Sequence, residues 1–442
     1  MKPDRSITSR LLILLTPLLF FVCSCTTVTK TQQAPTPFIY GDMLPDAPEL
    51  AARGQLHVGV RTMDLVHKSQ IDILHSKEGI DAIYDRPLKI EIWYPAIVPE
   101  NQQELTTYED VLGSTLDSTR PLVPFSFAGR ALRDAIPDKG SAPYPLVIVS
   151  HGYPGSRVLL TYLTENLASK GYVVVSIDHT ESTHHDQAGF PSTLLNRPKD
   201  ILFVLDEMAN SAKPGSNGFL AGLLDADHTA LIGYSMGGYG VMNVAGAGYS
   251  DKLAGFFKTA TGGSKSIATR VAGNAEYNAS IDPRIKAVVA FAPWGMQRGV
   301  WDAEGLKGVK VPVLFIAGTQ DDISGYEEGT RAMYLNSVNA NRYLLTYVNA
   351  RHNTAPNPPP ALTIGQQKFA GDYYHYAEPA WDSHRINNIN QHFVTAFLGI
   401  YLKQKDYGKF LDLPERSNEK NWFGFKPRSS VGLELLHAVP SK

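Results

Sequence analysis

Short runs of consecutive apolar residues recur along the middle of the chain and predict strands that are buried on both faces. Segments of helical length, such as 159–169 and 199–208, separate these runs. This alternation is typical of a parallel sheet with helices on both faces, so the predicted fold class is α/β. The predicted strands are 145–150, 172–177, 229–233, 285–290, 311–316 and 342–348.

Two flanking regions have a different pattern. Apolar and polar residues alternate in 55–66 and 88–94, which predicts two antiparallel neighbouring strands before the parallel sheet. Near the other end, 385–403 carries one apolar stripe at helical spacing and predicts an amphipathic helix. That helix contains His392, which we interpret as a packing or surface residue.

The domain organisation follows from where these patterns stop. We predict a single domain from 51 to 442, and we find no internal repeat. Stretches near 96–142, 247–283 and 355–384 interrupt the alternation and are candidates for loops around a site.

The N-terminal segment has the composition of an export signal. Basic residues precede an apolar run, 11–22, that is too short to span a bilayer. The sequence Val22-Cys23-Ser24-Cys25 then resembles a bacterial lipobox, which predicts a signal peptide at 1–24 and a lipid on Cys25. The Pro-rich and Thr-rich stretch 25–50 is predicted to be a flexible tether. The expected location is the bacterial cell envelope, with membrane attachment through the N-terminal lipid, and a soluble secreted protein is the alternative.

The amino-acid composition limits which partners the protein can bind and which chemistry it can use. The hydrophobic fraction of 43% is that of a globular protein with a substantial core. A net charge of −2 provides no basic field for nucleic acid. The two cysteines both lie in the export segment, so the folded domain is expected to have neither a disulfide nor a thiol nucleophile.

A candidate nucleophile lies in Gly233-Tyr-Ser235-Met-Gly237, after a predicted strand and before a predicted helix. In this context the G-x-S-x-G motif forms a sharp turn that exposes a strained serine. A serine hydroxyl needs a base to take its proton, and the base needs an acid that fixes its tautomer. We therefore predict Ser235 as the nucleophile.

The acid and the base are sought after the two following strands. Asp321 and Asp322 follow the strand ending at 316, and His352 follows the strand ending near 348. In folds with this nucleophile motif the three residues occur along the chain in the order Ser, Asp, His, and the candidates here have the same order. We assign Asp321 as the acid and His352 as the base, and Asp322 remains the alternative acid.

Other residues have candidate roles around this serine. The backbone amides of Met236 and Tyr153 are predicted to form an oxyanion hole, and His151 is interpreted as structural. After another strand come three histidines, His179, His184 and His185. A metal site would need a defined ligand spacing, so we predict a loop at the pocket rim there, with no metal and no cofactor.

Taken together, these motifs resemble the platelet-activating-factor acetylhydrolase-like and dienelactone-hydrolase-like branch of the α/β-hydrolases, which includes bacterial cutinases and polyester hydrolases. The resemblance extends over about 55–403. It implies an α/β-hydrolase fold with Tyr153 supplying an oxyanion amide and Trp294 an aromatic wall for the substrate. The true dienelactone hydrolases use a cysteine where this chain has Ser235. The motifs are Val58-Gly-Val-Arg, Arg86-Pro-Leu-Lys-Ile-Glu-Ile-Trp-Tyr-Pro, Ser150-His-Gly-Tyr, Leu167-Ala-Ser-Lys-Gly-Tyr-Val-Val, Arg197-Pro-Lys-Asp-Ile-Leu-Phe-Val-Leu, Gly233-Tyr-Ser-Met-Gly-Gly and Ala292-Pro-Trp.

The sequence thus predicts a serine hydrolase that cleaves small-molecule or lipid-like carboxylic esters through an acyl-enzyme. An acyltransferase or a peptidase could use the same three residues, because the acyl-enzyme can be resolved by another nucleophile. A non-catalytic binding lipoprotein of the envelope is the alternative outside the enzymes, since fold alone does not fix function.

Overall fold

Strands and helices alternate along the part of the chain that the computed structural model describes, residues 38–440. The strands are β1 His57–Lys77, β2 Ile80–Ile97, β3 Thr106–Leu112, β4 Val123–Gly129, β5 Leu132–Arg133, β6 Ile136–Pro137, β7 Tyr144–Ser150, β8 Val173–Asp178, β9 Leu224–Tyr234, β10 Ile285–Phe291, β11 Val313–Gly318, β12 Arg342–Tyr347 and β13 Leu433–Ala438. The helices are α1 Thr161–Ser169, α2 Phe190–Ala212, α3 Met236–Val244, α4 Asp251–Ala260, α5 Ala275–Ala279, α6 Ala303–Leu306, α7 Ala332–Asn336, α8 Ala370–Tyr373 and α9 Ser383–Lys403.

One mixed sheet organises the domain. Its strand order is β13-β12-β11-β10-β9-β7-β8-β2-β1-β5, and β6 pairs with β2. The strands from β12 to β8 are parallel. β13 runs antiparallel to β12, β2 runs antiparallel to both β8 and β1, and β5 pairs with β1 in parallel. The predicted α/β class and the predicted antiparallel strand pair are both confirmed.

The apolar runs of the central strands are explained by two cores, one on each face of the sheet. Along β7, Leu146 and Ile148 enter the core that includes residues of α2 and α3, whereas Val147 and Val149 enter the core that includes residues of α1 and α9. Successive side chains of a strand point to opposite faces. A strand covered on both sides therefore needs an apolar residue at every position.

The structure contains elements that the pattern did not predict. β13 extends the sheet beyond β12, and β3 and β4 form a separate two-stranded sheet inside the stretch 96–142. The stretch 247–283 contains α4 and α5, and 355–384 contains α8. Gly113 donates its N–H to the carboxylate of Asp372 at 3.1 Å, so the first and third of these stretches are in contact.

The predicted tether is wrong at its C-terminal end. Ile39 is only 2% exposed, and the backbone N–H groups of Leu44 and Leu50 donate to Asn388 and His392 of α9. Burial of apolar surface and these hydrogen bonds attach 39–50 to the domain. The predicted signal peptide, Cys25 and the first part of the tether lie outside the described residues. Within 38–440, no helix is both long enough and apolar enough to cross a bilayer.

Candidate active site

Ser235 lies at a sharp turn between β9 and α3. Its backbone has φ 52° and ψ −113°, a region that residues with a side chain rarely adopt. The turn requires close backbone contacts on both sides. A Cβ on Gly237 would lie 1.8 Å from the carbonyl oxygen of Ser150, and one on Gly233 would lie 2.3 Å from that of Gly237. Both glycines of the motif are therefore needed for the turn that presents Ser235.

Asp321 and His352 come from the loops after two neighbouring parallel strands, β11 and β12, whose C-terminal ends meet at one sheet edge. The His352 Nε2 atom lies 2.9 Å from the Ser235 hydroxyl oxygen. The His352 Nδ1 atom lies 3.0 Å from each carboxylate oxygen of Asp321. The structure thus brings the predicted nucleophile, base and acid into one hydrogen-bonded chain.

The neighbouring carboxylates have different surroundings. Asp321 is buried and also accepts the backbone N–H groups of Ile323 and Ser324. Burial alone raises the pKa of Asp321, but its hydrogen bonds from His352 and these backbone groups outweigh burial and leave the pKa below its usual value. Asp322 is exposed and forms an ion pair with Arg351.

The two backbone amides predicted for an oxyanion hole flank Ser235. Met236 is the first residue of α3, so its N–H is one of the four that find no acceptor within a helix. A Cβ placed on Gly152 would lie 3.6 Å from that of Ser235, which positions the following residue, Tyr153, beside the serine. The buried guanidinium of Arg197 donates to the carbonyl oxygens of His151 and Gly152 and so fixes this loop.

Tyr153 and Trp294 have their backbones beside Ser235, and the rings of both contact Phe190. Trp294 donates its backbone N–H to the carbonyl oxygen of Ser235 at 3.0 Å, and its half-buried indole contacts Phe190 with ring centroids 5.0 Å apart. Phe190 also contacts Tyr153 at 5.6 Å. The sequence singled out Tyr153 and Trp294 but not Phe190, which precedes the predicted helix by nine residues and carries no local signal.

Glu378 is another residue that the sequence did not reveal. One of its carboxylate oxygens accepts the N–H of Arg351 and the other accepts the N–H of Asn353, both at 2.6 Å. The carboxylate thereby holds both sides of the loop that presents His352. Burial raises the pKa of Glu378, although these hydrogen bonds oppose the shift.

The loop after β8 that carries the three histidines lines one cavity through His185, whereas His179 and His184 are buried. His179 is buried and bonds to Ser150 and Asp200, and buried His184 bonds to the carbonyl oxygen of Gly113. Only His185 of the three is exposed. Burial, reinforced by the charge of Arg197, lowers the pKa of His179 to about 3. His179 is therefore a neutral buried residue beneath the Tyr153 loop.

Two cavities differ in their relation to Ser235. One of about 150 Å³ lies against His352 and is also lined by Ile323, Tyr374 and Glu378. A larger one of about 1010 Å³ lies between the β1–β2 hairpin and the β3–β4 sheet. Its lining includes none of Ser235, Asp321 and His352. Of these two cavities, the smaller is the one that contacts a member of the Ser235, His352 and Asp321 chain, and it does so through His352.

The chain is similar to several known proteins. A family model described as PET hydrolase-like matches residues 129–254, which include Tyr153 and Ser235. Cutinase 2 of Thermobifida cellulosilytica is 27% identical over 229 residues, covering 51% of this chain and 66% of that protein. Cutinase cut1 of Thermobifida fusca is 27% identical over 229 residues, covering 51% of this chain and 54% of that protein.

The chain thus spans about half to two thirds of the length of these curated relatives. A solved structure, a ferulic acid esterase from Streptomyces cinnamoneus, superposes with a TM-score of 0.52 at 21% identity and covers 81% of this chain and 94% of its own. This structural similarity shows the fold, which is of the α/β-hydrolase type. The matches to the PET hydrolase-like family model and to the cutinases place the sequence similarity of this chain in the cutinase and polyester-hydrolase branch of the α/β-hydrolases.

Proposed function

We propose that this protein is a serine hydrolase that cleaves carboxylic esters through an acyl-enzyme. The observation that carries the proposal is the continuous chain of contacts from the Ser235 hydroxyl through His352 to Asp321, at 2.9 and 3.0 Å. The cutinase relatives support an ester as the substrate.

The geometry supports the following sequence of steps. His352 Nε2 takes the proton of Ser235 as the serine oxygen bonds to the ester carbonyl carbon, and Asp321 stabilises the imidazolium that forms. The amides of Met236 and Tyr153 donate to the developing oxyanion. The carbon–oxygen bond to the alcohol then breaks, and His352 gives its proton to the departing oxygen. Water repeats the steps on the acyl-enzyme and releases the acid.

Labelling with a fluorophosphonate tests the nucleophile, because the reagent modifies an activated serine. Wild-type protein should be labelled, and Ser235→Ala should lose both label and p-nitrophenyl acetate hydrolysis, with kcat/KM falling by roughly 10³-fold or more. Ser337→Ala is a matched control, because Ser337 is buried at the end of α7 and its hydroxyl donates to the carbonyl oxygen of Met333, away from Ser235. A Ser235→Ala variant that keeps a tenth of the wild-type turnover would contradict the assignment.

We also propose that Cys25 carries the lipid of a cell-envelope lipoprotein. The support is the sequence Val22-Cys23-Ser24-Cys25 directly after an apolar run. Incorporation of radiolabelled palmitate should be lost in Cys25→Ala and retained in Cys23→Ala. Undiminished label in Cys25→Ala would refute the anchor.

A further inference from the structure

Phe190 lies between the rings of Tyr153 and Trp294, two residues whose backbones lie beside Ser235. It is the first residue of α2, and its half-buried ring meets Trp294 at 5.0 Å and 75° and Tyr153 at 5.6 Å and 89°. Both are edge-to-face contacts, the arrangement in which aromatic rings attract one another. Phe190 thus bridges Tyr153 and Trp294.

The rings on either side of Phe190 are held in place. The Tyr153 hydroxyl donates to the carbonyl oxygen of Ala188 at 2.6 Å. The Trp294 backbone is fixed by its hydrogen bond to Ser235, and its indole also contacts Tyr239, with ring centroids 6.4 Å apart. The Phe190 ring therefore already fills the gap between the Tyr153 and Trp294 rings that a substrate group would have to enter.

The proposed reaction determines which part of an ester faces these rings. The alcohol must leave on the His352 side, because His352 gives it a proton. The acyl group then extends away from His352, towards Tyr153 and Trp294. An aryl group stacked on an aromatic wall needs a centroid separation of about 4.5–7 Å. The Phe190 ring already lies within that distance of both the Tyr153 ring and the Trp294 ring.

We propose that Phe190 fills the acyl-binding region and selects esters of small aliphatic acids over esters of aromatic acids. This inference rests on the proposed function, because it assigns a specificity to the same Ser235 site. Removing the Phe190 ring should open the space between Tyr153 and Trp294 to an aryl acyl group.

The test compares p-nitrophenyl acetate with p-nitrophenyl benzoate, which share one leaving group and differ in the acyl part. In Phe190→Ala the ratio of kcat/KM for benzoate to that for acetate should rise by about tenfold or more over wild type, the range that pocket size alone can produce. Phe190→Leu should give an intermediate ratio and covers the case in which Phe190→Ala does not fold.

Phe203→Ala is the matched control. Phe203 belongs to the same helix and is also half-buried, but its ring stacks on His67 at 4.2 Å instead of on the site rings. Its benzoate-to-acetate ratio should equal that of wild type. An unchanged ratio in both Phe190 variants, with an active wild type, would overturn the role of Phe190 alone. A wild type that hydrolyses neither ester would overturn the proposed function and this inference with it.

Discussion

The Asp321 carboxylate shows how a single side chain can be fixed by its partners. It receives hydrogen bonds from the imidazole of His352 and from two backbone N–H groups, and it is only 6% exposed. Hydrogen bonds to a charged acceptor are stronger than those between neutral groups. Asp321 is therefore held as an ionised acceptor facing His352, whereas Asp322 turns towards solvent and Arg351.

We expect Asp321→Asn to lower kcat on p-nitrophenyl acetate by roughly 10³ to 10⁴-fold, because an amide can hold the imidazole in the wrong tautomer. Stopped-flow or steady-state kinetics beside a melting curve would measure this. Asp322→Asn removes one exposed ion pair, and kcat should stay within about twofold of wild type. Equal or greater loss in Asp322→Asn would reassign the acid.

At the scale of elements, the stretch 355–384 positions the His352 loop from outside the sheet. Glu378 belongs to this stretch and bonds to the amides on both sides of His352. Asn353 adds two donations to the carbonyl oxygens of Tyr374 and Ala377. Through these hydrogen bonds the stretch 355–384 holds the His352 loop in position.

Glu378→Ala should lower kcat roughly tenfold to a hundredfold with little change in KM, because misplacing His352 slows proton transfer more than it weakens binding. Glu378→Gln keeps one acceptor oxygen and should recover part of the loss. Glu327→Gln removes a carboxylate that pairs with Arg331 on the surface and serves as the control. A lowered melting temperature with an unchanged kcat would mean that Glu378 only stabilises the fold.

The elements that the sequence predicted are those whose residue pattern lies entirely within the element itself. Each central strand is covered on both faces and so has a continuous apolar run, as in β7. The edge strand β13 forms a full ladder with β12 and a single bridge to Arg416 on its other side, and its buried Leu433 and Leu435 alternate with less buried residues over just six positions. Such a short alternation after a polar stretch carries little signal.

The same distinction applies to the site. Ser235 and His352 follow strands whose ends meet at one edge, so their proximity can be deduced from order along the chain. Glu378 and Phe190 reach the site from a loop and a helix start, and neither has a motif around it. Their contacts depend on how separate segments pack, which no local pattern encodes.

At the scale of the whole molecule, buried neutral histidines link stability to pH. Burial is the main cause that lowers the pKa to about 3 in His179, His375 and His392. An unfolded chain binds a proton at each near pH 6.5, whereas the folded chain does not until about pH 3. Their contribution to stability is thus fully present above pH 6.5 and is lost progressively as the pH falls towards 3.

His392→Gln should flatten this dependence, because glutamine does not titrate yet can still accept the N–H of Leu50 that His392 now accepts. Urea titrations from pH 7 to pH 4 measure how the free energy of unfolding changes with pH. Near pH 5 this slope should show that unfolding of His392→Gln takes up nearly one proton fewer than unfolding of wild type. A slope in His392→Gln equal to that of wild type would show that His392 is protonated in the folded state.

The position of β13 has a consequence for synthesis of the chain on the ribosome. β13 covers the outer edge of β12, the strand that leads into the His352 loop, yet its residues are made after those of every other strand in the sheet. A nascent chain that has not reached residue 433 presents β12 as an open edge able to pair with another polypeptide. We therefore expect chains stalled before β13 to aggregate through that edge and to remain inactive.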